Sequence, residues 1–472
     1  MVLEMTTAAL LALMGGNKVW VTPLSWLHDP TAVSTAAIVP AGEYHTFVVG
    51  NASACRVDAP DEVDAQVFIV KCYPKKVYGK WNLRAYYMPT AKQCEPTGLW
   101  AVRFKADLPP GEHKLVIHTS EEDAGRTNDY EFQVVALDLP PADIPFGMYY
   151  TISRVPPEYG SPKYQNMYLR DMAEHGMNTV SVYTHATGRN EQVNLFRLMQ
   201  KHGLDRMPAM LLTGCADKPI AEIDGTEFLL YGPDEPSPEN REECMTSLAR
   251  ARAAGMRHVT ALSAISAWSG LGDAFDVWVI HPDNGIEVPE TIAGGITTPL
   301  HEYARKRGAA IWQYHCGVRG TNPKLQRYYW GLFTWAVGAK GCFAWAYTHQ
   351  KESCIRPDGT WNALQTNEFV LPTPDGPMPT VGWEGAREGI LDYRILRTLE
   401  TSVISAAGSL EKKEQTAKAA LWLARLKHSV DPKFFGDFKW VDTDYFWDRP
   451  DSYDPGLDLT KIRAEAIALL AQ

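Results

Sequence analysis

From Phe146 onward the sequence alternates short apolar runs with amphipathic stretches, and this alternation constrains the fold more than any other feature. Gly176, Gly203, Gly255 and Gly308 each follow an amphipathic stretch, at the position where a left-handed residue ends a helix. The repeat of apolar strand, amphipathic helix and glycine stop is typical of α/β proteins built from successive βα units.

Eight strands are predicted in this part of the chain. They are Phe146–Tyr150, Asn178–Tyr183, Met207–Thr213, Glu227–Gly232, His258–Ser263, Asp276–Ile280, Ala309–His315 and Gly341–Thr348. Helices are predicted between most of them, at Pro162–His175, Glu191–Lys201, Glu239–Ala254, Thr298–Arg307 and Lys324–Val337. Eight such units over about 250 residues match a TIM-type (β/α)8 barrel. A doubly wound sheet stays the alternative, because the helices after the third and fifth strands are short or missing.

The first part of the chain has the pattern of an all-β sandwich. Short alternating runs lie at Lys18–Thr22, Tyr44–Val49, Ala65–Lys71, Leu83–Tyr87, Leu99–Lys105, His113–His118 and Tyr130–Leu137. Turn clusters such as Pro109-Pro110-Gly111 separate them. Leu139–Asp143 contains two adjacent prolines and predicts a linker, since proline disfavours both a helix and a central strand.

The predicted organisation has four segments. They are an N-terminal segment over 1–16, a β-sandwich domain over 17–143, a (β/α)8 catalytic barrel over 144–400 and a helical extension over 401–472 packed on the barrel. Helices are predicted at 384–400, 412–428 and 459–471. The apolar run at 6–16 can be interpreted as a signal-peptide remnant, although a signal peptide has basic residues before such a run and this chain has none. Secreted, periplasmic and cytoplasmic locations all stay open.

The composition bears on the kind of partner. Lys plus Arg number 46 and Asp plus Glu number 56, a formal charge of −10. Phosphate backbones and anionic membrane surfaces select basic protein faces, so we expect neither a nucleic-acid nor a membrane partner. The 15 Trp, 21 Tyr and 15 Phe favour a glycan instead, because aromatic faces stack on the C–H surfaces of sugars. The sequence does not give the oligomeric state.

Two adjacent carboxylates, Asp234 and Glu235, follow the fourth predicted strand with Pro233 and Pro236 on either side. Active sites of such barrels lie at the C-terminal ends of the strands, so the pair is predicted to lie at the mouth. Their mutual repulsion should raise at least one of the two pKa values, as a general acid at neutral pH requires. The alternative is a pair of solvated loop charges, with Asp234 serving a turn.

Aromatic and polar side chains end several other strands. The candidate substrate-binding residues are Tyr150, Tyr183, Trp268, His281, Tyr314, Trp345 and Tyr347. Strand alternation places Trp312 and Tyr314 on one face, and Phe343, Trp345 and Tyr347 on one face. If those faces point inward, the mouth is a ring of aromatic side chains around two carboxylates. For any single aromatic residue, packing in the core is the competing explanation.

The sequence predicts no cofactor and no metal. It contains no GxSxG elbow, P-loop, HExxH motif or EF-hand loop, and His281-x-Asp283 alone is too little for a metal site. The eight cysteines are scattered and form no CxxC pair, which favours reduced, buried thiols.

Several segments, taken in order, resemble the barrel glycosidases of glycoside hydrolase family 123 and their uncharacterised relatives. They are Lys18–Leu24, Pro40–Phe47, Tyr231–Pro236 with the Asp-Glu-Pro signature, Ile311–Tyr314, Gly341–Tyr347 and Trp383–Tyr393. The chain departs from the family pattern at Gly382, where a basic residue is expected shortly before Glu384.

The resemblance implies substrate-assisted, retaining hydrolysis of a 2-acetamido sugar, with β-N-acetylgalactosaminides as the leading class. Glu235 would be the acid/base at the glycosidic oxygen. Asp234 would hold the acetamido N–H, so that the acetamido oxygen attacks the anomeric carbon. A tyrosine, with Tyr314 as the first candidate, would donate to that acetamido oxygen.

Two alternatives stay open. One is a glycosidase of the same fold that acts on another glycan directly, with Asp283, Glu352 or Asp273 as nucleophile or base. The other is a carbohydrate-binding or scaffold protein that no longer catalyses, which the intact Asp234-Glu235 pair disfavours.

Overall fold

The architecture below is that of a computed structural model. It describes residues 19–27, 37–77, 80–90, 96–120, 127–150, 155–182, 189–212, 225–263, 266–267, 269–280, 299–315, 322–348, 369–406, 413–430 and 455–471. The predictions for residues 1–16, Tyr183, Trp268, His281, Asp283 and Glu352 lie outside these residues. Within them, no helix combines the length and the apolar character that crossing a membrane requires.

Two four-stranded sheets form the N-terminal sandwich. One has the strand order β1 (Trp20–Pro23), β3 (Tyr44–Gly50), β8 (Leu99–Lys105), β5 (Ala65–Ile69). The other has the order β2 (Ala37–Pro40), β10 (Thr127–Val135), β9 (Gly111–His118), β4 (Arg56–Asp58). Phe47, Val102 and Phe104 from the first sheet meet Leu115 and Phe132 from the second in a shared buried core. Alternate residues of each strand supply this core, as in other sandwiches.

The sandwich contains strands that the sequence pattern missed. β2 and β4 were not predicted, because β4 is short and mostly exposed and β2 precedes a turn without clear alternation. The predicted run Ala65–Lys71 is split, since β5 ends at Ile69 and β6 (Lys71–Val77) begins a separate hairpin with β7 (Lys80–Tyr87).

Eight parallel strands close into a barrel, which confirms the predicted fold class and excludes the doubly wound sheet. They are β11 (Phe146–Tyr150), β12 (Thr179–Val182), β13 (Ala209–Leu212), β14 (Phe228–Tyr231), β15 (Arg257–Ala261), β16 (Val277–Ile280), β17 (Ala310–His315) and β18 (Cys342–Ala344). The closing pair is β18 with β11, in which Phe146 lies opposite Cys342. A hairpin of β19 (Val370–Thr373) and β20 (Gly376–Pro379) follows the barrel.

One side-chain cluster fills the barrel interior. It comprises Tyr149, Met210, Leu229, Tyr231, Val259, Ala261, Val277, Val279, Trp312, Tyr314, Phe343 and Ala346, with Trp345 at its edge. The cluster takes alternate residues of several strands, so their neighbours in sequence point outward to the helical layer.

The helical layer covers the outside of the barrel. Its helices are α1 (Pro162–Glu174), α2 (Arg189–Lys201), α3 (Arg241–Ala253), α4 (Pro299–Lys306), α5 (Pro323–Tyr328) and, after a π-helical stretch at Tyr329–Phe333, α6 (Thr334–Ala336). The long α7 (Val381–Ala406), α8 (Lys413–Ser429) and α9 (Leu459–Leu470) complete it. The predicted helices at 384–400, 412–428 and 459–471 correspond to α7, α8 and α9.

Glycines let α7 cross the preceding helical stretch at very short range. A Cβ built on Gly389 would lie 2.6 Å from the Arg327 carbonyl oxygen, and one on Gly331 would lie 2.5 Å from the Gly389 carbonyl oxygen. Because real Cβ atoms do not approach backbone so closely, only glycine fits at these positions.

Buried charged groups connect α7 to the sandwich. Glu384 is fully buried and accepts hydrogen bonds from Thr46 Oγ1 (2.9 Å) and Arg103 (3.0 Å), both on sandwich strands. One turn further along α7, the Oε1 atom of Glu388 lies 2.9 Å from Nδ1 of His45. Arg463 of α9 contacts Glu388 from the other side. The sandwich, α7 and α9 therefore share one network of charges.

Candidate active site

The turn after β14 presents Asp234 and Glu235. Tyr231 is the last residue of β14, and the Gly232–Pro233 peptide that follows is cis. Gly232 has a φ of 115°, a backbone conformation that residues other than glycine rarely adopt. The chain leaves the strand sharply at this glycine, and both carboxylates then lie exposed at the C-terminal end of the barrel. This is the position that the sequence predicted.

Polar side chains from neighbouring elements hold the two carbonyl groups of the turn. The Gly232 oxygen accepts a hydrogen bond from the Ser247 hydroxyl (3.0 Å) of α3 and lies 2.5 Å from His258 Nε2. The Thr260 hydroxyl of β15 donates to the Pro233 oxygen. His258 is buried, and burial lowers the pKa of its ring. The backbone immediately before Asp234 is therefore fixed by β15 and α3.

Asp234 is held by a tyrosine from the barrel interior. The Tyr231 hydroxyl donates to Asp234 Oδ1 over 2.5 Å, and the Ala261 amide donates to the Tyr231 oxygen over 3.3 Å. Tyr231 is only 1% exposed, and burial raises the pKa of its phenol well above the usual value. The hydroxyl thus keeps its proton and remains a donor to the carboxylate.

Glu235 differs from Asp234 in backbone and in charge state. Its φ of 44° lies in the left-handed region, which costs a non-glycine residue about 1–2 kcal/mol. Although the residue as a whole is exposed, neighbouring protein partly desolvates its carboxyl group, and this partial burial raises the pKa of Glu235. The negative charge of Asp234 raises it further. The expected rise in pKa is present, with burial as its larger cause.

Aromatic rings lie below and beside the carboxylates. Tyr149 is central: its ring centroid lies 5.7 Å from that of Tyr231, 5.5 Å from Tyr314 and 5.6 Å from Trp345. Trp345 is partly exposed, whereas Tyr149 and Tyr314 are buried. Trp312 stacks on Phe343 deeper in the barrel. The structure thus brings Tyr314 and Trp345 into one aromatic cluster with the tyrosine that holds Asp234.

Tyr150 and Tyr347 correct the sequence analysis, because both lie behind the barrel wall. The Tyr347 hydroxyl donates to Asp171 of α1 (2.7 Å), and Trp383 donates to the same carboxylate oxygen (2.9 Å). Tyr150 is fully buried with its ring centroid 6.1 Å from that of Tyr347. The alternation of inward and outward side chains does not extend to Tyr347, because β18 already ends at Ala344. Neither residue can contact a substrate at the mouth.

Asp273 is likewise in the wrong place for a nucleophile. It lies in the short helix Leu271–Ala274 that leads into the N-terminal end of β16, where Arg307 binds its carboxylate. A cavity of about 860 Å³ also lies at this end of the barrel, lined by Glu227, Arg257, Lys340 and neighbouring residues. It is separate from the carboxylate pair at the mouth. In the described part of the chain, no group of three or more metal-ligating side chains occurs.

The residues that hold the turn and Asp234, namely Tyr231, Ser247, His258 and Thr260, were not predicted from the sequence. A signal for Tyr231 was available, since Leu229 and Tyr231 have the same parity and both point inward. No such signal existed for Ser247 and His258, which meet the turn only when α3 packs beside the paired strands β14 and β15.

Comparison with known proteins gives a likeness in fold. No protein-family model matches the sequence, and no curated protein matches it. A family 123 glycoside hydrolase from Clostridium perfringens has a similar structure, with a TM-score of 0.56 at 11% identity, over 96% of this chain and 99% of that chain. The resemblance seen in the sequence therefore extends to the fold across nearly the whole chain.

Weaker structural similarity is found to other enzymes. An FMN-binding β-glucuronidase from Facaelibacterium prausnitzii has a TM-score of 0.36 at 11% identity, over 79% of this chain and 62% of that chain. A GH113 β-mannanase from Alicyclobacillus acidocaldarius has a TM-score of 0.31 at 14% identity, over 43% and 88%.

Proposed function

We propose that the protein is a glycoside hydrolase that cleaves 2-acetamido sugars, β-N-acetylgalactosaminides first among them, by substrate-assisted retaining catalysis. The observation that carries the proposal is the division of roles between the adjacent carboxylates. Asp234 is oriented by Tyr231, whereas the carboxyl group of Glu235 has a raised pKa. One group is thus suited to bind and the other to transfer a proton.

In the first step the acetamido oxygen of the substrate attacks the anomeric carbon while the bond to the leaving oxygen breaks. Glu235 gives its proton to that leaving oxygen. Asp234 accepts a hydrogen bond from the acetamido N–H. Its negative charge stabilises the positive charge of the oxazolinium ring that forms.

In the second step water attacks the anomeric carbon and the oxazolinium ring opens. The Glu235 carboxylate takes the proton from that water, which restores the acid. Two displacements at one carbon retain its configuration, and a nucleophile within the substrate replaces the second carboxylate of ordinary retaining enzymes.

The aromatic cluster supplies the remaining binding surface. Trp345 is partly exposed beside Tyr149 and offers a face for the C–H surface of a sugar. Tyr314 is assigned to the acetamido oxygen. Tyr183, Trp268 and His281 complete the set of proposed substrate-binding residues.

A panel of aryl glycosides tests the proposal. The purified protein should release the aryl group from the β-N-acetylgalactosaminide and not from the matching 2-hydroxy β-galactoside, because only the former carries the nucleophile. Turnover of the 2-hydroxy compound, or a covalent adduct with a fluorinated sugar on any carboxylate, would favour the direct mechanism instead. Glycan binding without turnover of any compound would favour a binding protein.

A further inference from the structure

The hydroxyl of Tyr231 is constrained from two sides. It receives the Ala261 amide hydrogen (3.3 Å) and directs its own hydrogen at Asp234 Oδ1 (2.5 Å). The backbone at Ala261 is itself part of β15, which pairs with both β14 and β16. The direction of the O–H bond is therefore set by the barrel and not by the exposed turn.

The ring of Tyr231 has no room to swing away from this position. It lies in the barrel interior, 1% exposed, with the Tyr149 ring edge-on at a centroid distance of 5.7 Å. Val259, its register partner on β15, belongs to the same buried cluster. A donor on a rigid element fixes its acceptor more tightly than one on a loop.

Asp234 needs such a partner because of where it lies. The residue is exposed on the turn, where the orientation of a carboxylate about χ2 depends on the groups that contact it. The short hydrogen bond from Tyr231 to Oδ1 is one such contact, and it comes from the rigid barrel. The orientation of the carboxylate decides whether it can accept a hydrogen bond from a substrate amide above the barrel.

We propose that Tyr231 is a positioning residue that orients the Asp234 carboxylate toward the 2-acetamido N–H of the substrate, and thereby determines the preference for acetamido sugars. The inference rests on the proposed function. Tyr231 itself lies beneath the carboxylate and contacts the substrate only through Asp234.

The test is a double-mutant cycle with Tyr231→Phe and Asp234→Asn, assayed on an aryl β-N-acetylgalactosaminide. Tyr231→Phe alone should lower kcat about 10- to 100-fold with little change in KM, since a hydrogen bond to a charged group is lost. In the Asp234→Asn background the same substitution should cost less than about threefold, because the charged acceptor is already gone. Affinity for a thiazoline mimic of the cyclised intermediate should weaken in parallel with kcat.

Tyr168→Phe is the matched control. Its buried hydroxyl also donates to one acceptor, the Tyr159 carbonyl oxygen at 3.2 Å, but on the outer face of the barrel. It should leave kcat and thiazoline affinity unchanged. Circular dichroism melts of all variants establish that each is folded at the assay temperature.

The possible failures are distinguishable. If the wild type does not hydrolyse the acetamido glycoside, the proposed function fails and this inference with it. If the wild type is active but Tyr231→Phe costs the same factor with and without Asp234, the inference alone is overturned. A Tyr231→Phe chain that does not fold would also overturn it, since the hydroxyl would then be structural.

Discussion

The carboxylate of Glu384 and the guanidinium of Arg103 lie 3.0 Å apart, although they belong to α7 and to a strand of the sandwich. His175, which follows α1, and Arg387 of α7 contact the same carboxylate. The positive charges beside Glu384 come from Arg103 of the sandwich and Arg387 of α7.

Glu384→Gln should therefore destabilise the protein. Burial alone would raise the pKa of Glu384, but Arg387, Arg103 and His175 outweigh it and hold the pKa far below its usual range. Removing the charge leaves two arginines without their counter-charge, at a cost of about 3–5 kcal/mol. Urea denaturation at pH 7 measures the loss, with the exposed Glu174→Gln as the control.

The same carboxylate predicts a dependence of stability on pH. Its folded pKa is below its unfolded pKa, so its contribution is complete above about pH 4.3 and is lost as the pH falls toward the folded value. The free energy of unfolding of the wild type should decrease over this acidic range more steeply than that of Glu384→Gln. Equal slopes for the two proteins would contradict this assignment.

Glu235→Gln should lower turnover of natural glycans by about 10²–10⁴-fold, the usual contribution of a general acid. Aryl glycosides with acidic leaving groups should lose much less in the first step, because they need no protonation. A plot of kcat/KM against the pKa of the leaving group measures the difference in slope. The control is Glu239→Gln, an exposed carboxylate a few residues away. An equal loss for all leaving groups would exclude Glu235 as the acid.

Asp234→Asn should change the pH profile as well as the rate. Glu235 must be protonated to act as the acid, so its pKa sets the alkaline limb of activity. Removing the charge of Asp234 removes one of the two causes that raise this pKa. The alkaline limb of kcat/KM should therefore shift to lower pH, but not to that of a free glutamate, since burial remains. An unchanged limb would show that the two groups do not interact.

Trp345→Ala should raise KM for aryl glycosides while changing kcat less. A sugar that stacks on this partly exposed ring loses that contact in the ground state and the transition state alike, which is uniform binding. Stacking of this kind contributes on the order of 1 kcal/mol, or roughly fivefold in KM. The control is Trp422→Ala on α8, whose indole donates to Glu465. A loss confined to kcat would contradict a binding role.

Thr260→Val should loosen the turn that carries the pair. The variant keeps the shape of the side chain but removes the donor to the Pro233 oxygen, at a cost of about 1–3 kcal/mol. Because that carbonyl precedes Asp234, kcat should fall together with stability. Thr398→Val removes a half-buried hydroxyl that donates to the Arg394 carbonyl oxygen on α7, and it should leave kcat unaffected. Thermal melts and steady-state kinetics on the same samples measure both effects.

The sequence predicted the barrel well because its buried strands are framed by amphipathic helices and glycine stops. All eight strands lie within the predicted ranges or within one residue of them. The sequence predicted less well which side chains point into the barrel interior. β11 is buried on both faces, so hydrophobicity alone could not tell that Tyr149 points inward and Tyr150 outward.

The position of the carboxylate pair could be predicted, but its supports could not. A pair after a strand of a barrel must lie at the mouth, whatever the details of packing. The contacts of Ser247, His258 and Thr260 with the turn depend on the exact path of the chain through Gly232 and Pro233. Nothing local in the sequence encodes that path in advance.

The left-handed backbone at Glu235 bears on how chains of this kind diverge. Glycine or asparagine would adopt that conformation with less strain, so replacing the glutamate gives up the proposed proton transfer and gains stability. A lineage released from selection for turnover would drift toward such residues at this position. Among homologous sequences, glutamate here would mark lineages in which the proposed proton transfer is still selected, and glycine or asparagine those in which it is not.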